Sequence, residues 1–286
     1  MVEETDFFFV IGSPRSGTKI LRDTIGSHPD VKTTDSPLED VWTYGQADTD
    51  HDSYKAEQLT SQIKRNIRNE FNQKSSGASM FVEKNVRHSL RIPYVRSVFP
   101  RAKFIHIVRH PLDVVVSLEE RWRNPIDWDY YLSTRAFEIP LADIIHYTAQ
   151  LGWDYVKRIL SLSDHVDTWG PHYPGLLQDL EDRNLLEVCA LQWKHCVTGA
   201  REEGMKFDDD YYQLCYEQLM HQPSKTLDAL GDFMCVGEIE NWLSFAQHHY
   251  RTNSINRYDR DLTPNERDRV TSILGSLPEA LGYELS

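Results

Sequence analysis

Long apolar runs are missing from this chain: none approaches the roughly 20 consecutive residues that a bilayer-spanning helix requires. Its first residues, Met1-Val2-Glu3-Glu4-Thr5-Asp6, are acidic and lead straight into an apolar stretch, so no secretory leader is read there and a cytoplasmic protein is expected. Cysteine is scarce. The four present (Cys189, Cys196, Cys215, Cys235) lie in the second half, in apolar contexts, and none has metal-ligand spacing. Buried free thiols in a reducing compartment are expected, and no metal. Positive charge is in deficit, with 31 Lys and Arg against 44 Asp and Glu and a net charge of −13. That excludes a broad basic face for nucleic acid or a membrane surface. An anionic small ligand is still compatible, because it needs only a few local cations.

What is present is a soluble globular composition, 40% hydrophobic and 26% charged over 286 residues, enough for one sizeable α/β domain. The most informative stretch is Phe7-Phe8-Phe9-Val10-Ile11-Gly12-Ser13-Pro14-Arg15-Ser16-Gly17-Thr18-Lys19-Ile20-Leu21. An uncharged apolar run reads as a buried strand. It breaks at a Gly/Ser/Pro turn and resumes as a helix led by Ser16-Gly17-Thr18. The unpaired N–H groups and dipole of a helix start favour an anion. Gly17 allows close backbone approach, and Arg15 adds a planar fork for phosphate or sulfate oxygens. Gly12 and Gly17 have the spacing of a Walker A loop, but Thr18-Lys19 stands where Lys-Thr belongs. On a helix the inversion rotates each side chain by about 100°, which disfavours an ordinary NTPase.

Strand and helix patterns alternate along the rest of the chain. Helices are expected at Lys19 to Ser27, 54–73 and Leu90 to Val98. Lys32 to Pro37 reads as a polar loop within a longer loop at 32–53. Strands are expected at Met80-Phe81-Val82, ending in Glu83-Lys84-Asn85, at Lys103 to Val108, and at Tyr211 to Tyr216. Further helices are read from Val114 to Trp122, with Pro111 at or near its first turn, near 141–160, at 179–203, from Ser224 to Met234, and at 238–247 and 264–275, with Thr263 and Glu266 as a capping pair. This alternation implies a three-layer parallel sheet of the α/β class, with a P-loop-like phosphate cradle. One domain over 1–286 is expected, with a helical insertion at about 123–205 on the acceptor side. Arg109, just past the end of a central strand, and Ser117, two helical turns on, form a second candidate anion site. A structural ion pair between Arg109 and Asp113 is the rival reading.

The run Pro14-Arg15-Ser16-Gly17-Thr18 resembles the 5′-phosphosulfate loop of sulfotransferases that use 3′-phosphoadenosine 5′-phosphosulfate (PAPS). His28-Pro29-Asp30-Val31 and the Arg109-x-Pro-x-Asp-x-x-x-Ser117 spacing add to the resemblance. It implies a fold, a donor (PAPS, with 3′-phosphoadenosine 5′-phosphate, PAP, as product and no metal) and an acceptor that is a hydroxyl or amine of a small molecule or glycan. It also implies site residues. Pro14, Arg15, Ser16, Gly17, Thr18 and Lys19 would hold the 5′ end, and Arg109 and Ser117 the 3′-phosphate. Tyr216, in Tyr-Glu-Gln-Leu, would lie near the adenine. Arg257, in Ser-Ile-Asn-Arg-Tyr, would bring a cation from the C-terminal loop. Lys84 stands where the family places a strand-end lysine. The histidine that soluble members carry two residues later is replaced by Val86, so the resemblance is to the carboxylate-base branch rather than the His-base cytosolic one. Glu39 and Asp35 are the first candidates for the base, then Glu83, then His88. A Mg-ATP-dependent P-loop kinase and a binding module without turnover are the alternatives. Oligomeric state and acceptor identity are not written in the sequence.

Overall fold

The computed structural model describes residues 5–35, 37–45, 49–123 and 169–285. The chain divides into two compact units, 1–116 with 171–286, and 117–170. Most of the second, 124–168, lies outside the described residues. So do the helix expected near 141–160 and the aromatic residues between Trp128 and Tyr155.

The first unit is built on a five-stranded parallel sheet in the order β2-β3-β1-β4-β5, where β1 is Asp6–Ile11, β2 Val31–Thr33, β3 Met80–Lys84, β4 Lys103–Val108 and β5 Tyr211–Cys215. The apolar run at Phe8–Ile11 is central because both of its faces are buried, as parallel strands require. Phe8 and Val10 point into one apolar cluster with Leu21 and Ile25 of α1 (Thr18–Ile25). Phe9 and Ile11 point into the other, with Trp42, Ile67, Phe71, Tyr94 and Phe99. The latter come from α2 (Glu39–Trp42), α3 (Ser61–Ser75), α4 (Ile92–Val98) and the residue that follows it.

Both clusters are completed from the second half of the chain. After α5 (Pro111–Arg123) and the undescribed stretch come α6 (Leu176–Asp182), α7 (Leu185–Gly204), α8 (Tyr216–His221), α9 (Pro223–Met234), α10 (Glu240–His249), α11 (Tyr258–Asp261) and α12 (Pro264–Leu274). Leu219, Leu227, Leu230 and Trp242 close the first cluster, and Ala200 of α7 joins the second. Three layers result, helix over sheet over helix.

Four local expectations need correction. Lys32 to Pro37 is not all loop: Val31–Thr33 pairs with β3 as an edge strand, and Val31 is its only buried residue. The 32–53 segment contains α2, whose Trp42 is fully buried. The helix expected at 54–73 begins only at Ser61, where the Thr60 hydroxyl accepts the Ile63 N–H at 3.2 Å, a short 3-10 turn preceding it. The helix expected at 179–203 is two helices, broken where the Asn184 side chain caps α7 by accepting the Glu187 N–H at 3.0 Å. The thiols also differ among themselves. Cys189 and Cys196 are buried on α7, whereas Cys235 is exposed, in a left-handed conformation at the end of α9.

Candidate active site

The loop between β1 and α1 is held in a shape that few sequences could take. Gly12 has φ 149°, Arg15 φ 67° and Gly17 φ 91°. A Cβ on Gly17 would come within 2.5 Å of the Tyr216 ring, and one on Gly12 within 2.5 Å of the Ile107 carbonyl. Both positions require glycine on steric and conformational grounds. The Ser89 hydroxyl clamps the loop from outside: it accepts from Gly12 N–H at 2.9 Å and donates to Gly12 C=O at 3.1 Å. Gly17 is the N-cap of α1 and has no side chain to accept the first N–H groups of the helix. The Ser16 hydroxyl is buried with no hydrogen-bond partner among the described residues. Unsatisfied donors at a helix start are suited to an anion. The side chains of Arg15 and Lys19 stand exposed at the rim.

Arg109, at the end of β4, comes directly onto this loop. Its Nη1 donates to the Arg15 carbonyl at 3.0 Å, its Nη2 donates to the Ser254 carbonyl, and its guanidinium lies 4.8 Å from the centre of the Tyr216 ring. Its Nε is buried without a partner among the described residues. The structural reading of Arg109 also holds, because Nη2 stands 3.7 Å from Asp113 Oδ2. Asp113 does more than that. Fully buried, it accepts Asn256 N–H at 2.9 Å and Tyr258 N–H at 3.2 Å, fixing the turn that carries Arg257. Tyr216 shares a hydrogen bond of 2.9 Å with Ser254 Oγ. Arg257 itself turns to Asp261, at 3.1 Å. Ser117 is buried on α5, where the second unit begins.

The tip of β3 is the third component, and the pleat separates its two charged residues. Lys84 pairs in register with Val10 and shares its α1-facing side, whereas Glu83 pairs with Phe9 and faces α2 and α4. Burial, and next to it the charges of Arg22 and Lys19, bring the Lys84 ammonium down to about 8. Glu83 is fully enclosed. Its Oε1 accepts Leu38 N–H at 2.9 Å, and its Oε2 accepts Trp42 Nε1–H at 2.9 Å and lies 3.0 Å from His88 Nε2. Arg91 Nε, which can only donate, points at His88 Nδ1 at 3.1 Å. His88 is therefore the Nε2–H tautomer and donates to Glu83. Burial first of all pushes its pKa down, keeping it neutral. Both groups are spent on each other and on the fold, and neither side chain is exposed.

Glu39 is the carboxylate at this tip that retains access. Its side chain is 20% exposed and accepts from Asn85 Nδ2 at 2.8 Å and from Arg91 Nη2 at 2.9 and 3.0 Å. Burial alone would raise its pKa. The charges of Arg91 and Arg87 and the Asn85 hydrogen bond overcome that and hold it below the usual carboxylate range. Asp35 has an exposed side chain, and its backbone carbonyl is held by Arg22. Sequence reasoning passed over Arg91 and Ser89, read Asn85 only as a strand end, and read Asp113 only as a partner of Arg109. No spacing rule signals these further roles, because each acts through a partner distant in the chain.

Comparison with known proteins agrees with this geometry. Residues 8–132 match the model of the sulfotransferase family. The omega-hydroxy-beta-dihydromenaquinone-9 sulfotransferase Stf3 of Mycobacterium tuberculosis is 29% identical over 209 residues, 70% of this chain and 40% of that protein. The present chain thus spans well under half the length of that relative. Among solved structures, the sulfotransferase domain from the curacin biosynthetic pathway aligns over 99% of this chain and 100% of that one, at TM-score 0.60 and 14% identity. Mouse sulfotransferase SULT7A1, complexed with PAP, aligns over 98% and 91%, at 0.51 and 14%. The chain is thus similar to sulfotransferases in sequence over residues 8–132 and in fold over nearly its whole length.

If Glu83 is the structural carboxylate described above, Glu83→Gln must leave one of its three N–H donors facing an amide NH₂. The expected cost is about 1–3 kcal/mol of unfolding free energy, measurable by urea denaturation. An unchanged midpoint would contradict the assignment.

Proposed function

We propose that this chain transfers the sulfuryl group of PAPS to a hydroxyl or amine of a small-molecule or glycan acceptor. One observation carries the reading: the Arg109 guanidinium grips the backbone carbonyl of Arg15, which joins the two cation-bearing loops that leave the adjacent strands β1 and β4. PAPS is anionic at both ends and calls for such a pair. The fit has independent support. Ser16 Oγ and Arg109 Nε are buried donors without partners among the described residues, and Gly17 leaves its backbone open at the helix start. That a neighbour of the same fold is a complex with PAP is in keeping with this.

On this reading Pro14 shapes the turn, and Arg15, Lys19, Lys84 and the N–H groups of Ser16 to Thr18 receive the 5′ end. Arg109 receives the 3′-phosphate and Tyr216 lies beside the base, with Arg257 on the rim. Bound there, PAPS supplies an activated sulfuryl group whose departure leaves negative charge on the 5′-phosphate. Arg15, Lys84 and the helix start neutralise that charge in place, without reorganising. Glu39 takes the acceptor proton. Its ionised form is favoured by Arg91, and Asn85 and Arg91 fix its direction. Glu83 and His88 support this arrangement from behind.

Three outcomes are expected. In calorimetric titration with a chelator present, PAP binds in preference to ATP with Mg²⁺, and Arg109→Ala weakens PAP by about tenfold or more, the worth of a charged hydrogen bond. Unchanged binding in that variant would defeat the 3′-phosphate assignment. Glu39→Gln lowers turnover by about 10²–10⁴-fold in an acceptor screen with labelled donor while PAP still binds. Full turnover would remove Glu39 from the role.

The third outcome concerns pH. Lys84 in the free protein loses its proton as pH rises through about 8, and an anion binds its protonated form. PAP affinity should therefore be level below that pH and fall by up to about tenfold per pH unit above it. Lys84→Arg should flatten the profile. A wild-type profile already flat from pH 7 to 9.5 would show that Lys84 does not meet the anion.

A further inference from the structure

Arg22 lies outside every motif discussed so far, yet it is among the most buried charges of the first unit, at 7% exposure. It sits one turn after the cradle, on the face of α1 that looks toward β2, an edge strand of the sheet. Asp23 holds one side of its guanidinium, through Nε at 2.8 Å and Nη2 at 2.5 Å. That fixes the plane of the fork. The remaining terminal nitrogen, Nη1, reaches across to the chain leaving β2 and donates to two successive carbonyls, Thr34 at 3.1 Å and Asp35 at 2.5 Å. The same stretch is already pressed against α1, since a Cβ on Gly26 would meet Thr33 Cγ2 at 2.9 Å.

Beyond this double anchor the chain runs through Leu38, whose N–H is caught by Glu83, into α2 and Glu39. The segment carrying Glu39 is thus tethered at two places. Glu83 of β3 holds it on the sheet side, and Arg22 holds its approach on the cradle side. Only Arg22 belongs to the helix whose N-terminus forms the anion cradle.

We propose that Arg22 is a positioning residue: one guanidinium, fixed by Asp23, straps the Thr34–Asp35 carbonyls to the cradle helix and so sets the segment bearing Glu39 in register with the donor-binding loop. The role given to that segment rests on the sulfuryl-transfer reading; the strap itself does not. The same charge also faces the Lys84 ammonium, together with Lys19 and Asp23 of α1 and Glu83 beside it on β3. Arg22 is therefore felt at the donor site as well as along the loop.

Two variants of the full chain separate these effects. Arg22→Lys keeps the charge but has no planar fork to span two carbonyls while leaning on Asp23. Arg22→Gln loses both fork and charge. Hydrogen exchange is read at the amides of Leu38, Val41 and Trp42, with amides of α12 reporting global unfolding. Both variants should speed exchange at the three loop amides by about tenfold or more relative to that reference, the loss of one to two charged hydrogen bonds.

Calorimetric titration with PAP across pH 7–10 supplies the second readout. Removing a positive neighbour raises the pKa of Lys84, so the midpoint of the affinity fall moves to higher pH in Arg22→Gln and stays near the wild-type value in Arg22→Lys. A general loss of packing would not divide the two variants in this way. The proposal is overturned if loop exchange is unchanged in both variants. It is equally overturned if exchange accelerates only in Arg22→Gln, where charge and not the fork would be holding the loop, or if the midpoint stays put in Arg22→Gln. A wild-type chain that does not bind PAP would defeat the sulfuryl-transfer reading instead, and the exchange measurement alone would then decide the strap.

Discussion

The fork of Arg109 is the contact on which the rest of the site turns. A guanidinium with five donors in one plane can serve several acceptors without moving, and here it joins the cradle loop at Arg15 to the distant turn at Ser254. The tyrosine face beneath it and the indole of Trp193, which donates to the Arg109 carbonyl at 3.3 Å, fix its two ends. Asp113 then closes the circle by holding the same turn through two backbone N–H groups. A buried carboxylate that accepts several N–H donors is worth keeping, because each donor would otherwise be stranded. Strand tip, cradle and C-terminal turn are consequently joined by one set of hydrogen bonds.

The carboxylates at the tip of β3 show how environment divides chemically identical groups. Glu83 is surrounded by an indole, a backbone N–H and a neutral imidazole, and no face of it remains for a substrate. Glu39, held by Asn85 and Arg91, keeps an open edge and is held ionised. The alternation of the strand makes the separation possible. Successive side chains emerge on opposite faces, so Lys84 goes to the α1 side of the sheet and Glu83 to the core beside Trp42. A one-residue slip of β3 would exchange them and destroy both arrangements.

Much of this was legible in the chain itself. An uncharged Phe/Val/Ile run before a glycine turn, and a second apolar strand before Arg109, are local signals, and β1, α1, β4 and α5 follow from them. The α12 capping pair of Thr263 and Glu266 was legible for the same reason: donor and acceptor are three residues apart. Harder to see was β2, three residues with one buried side chain, whose identity comes from pairing with β3 rather than from any pattern of its own. The sequence could likewise rank Glu39, Asp35, Glu83 and His88 as bases only by position. What separates them is which partners the fold brings from 40 or more residues away, as Trp42 is brought to Glu83. Arg22 and the wider role of Asp113 belong to the same class, since the groups they hold lie 12 and 143 or more residues away in the chain.

The sheet register has a consequence for how the cradle comes into being. Every strand pairing in it is parallel, and β1 meets Met80 through Asp6 and Lys103 through Phe8, while β5 joins only from Tyr211 onward. Such distant partners make the chain a slow folder. The glycine turn, with its left-handed residues, is stable only after those strands have met, so an anion has nothing to grip in the unfolded ensemble. Any ligand of the finished loop, present during refolding, would then act by mass action on the folded state alone, improving yield without hastening the search.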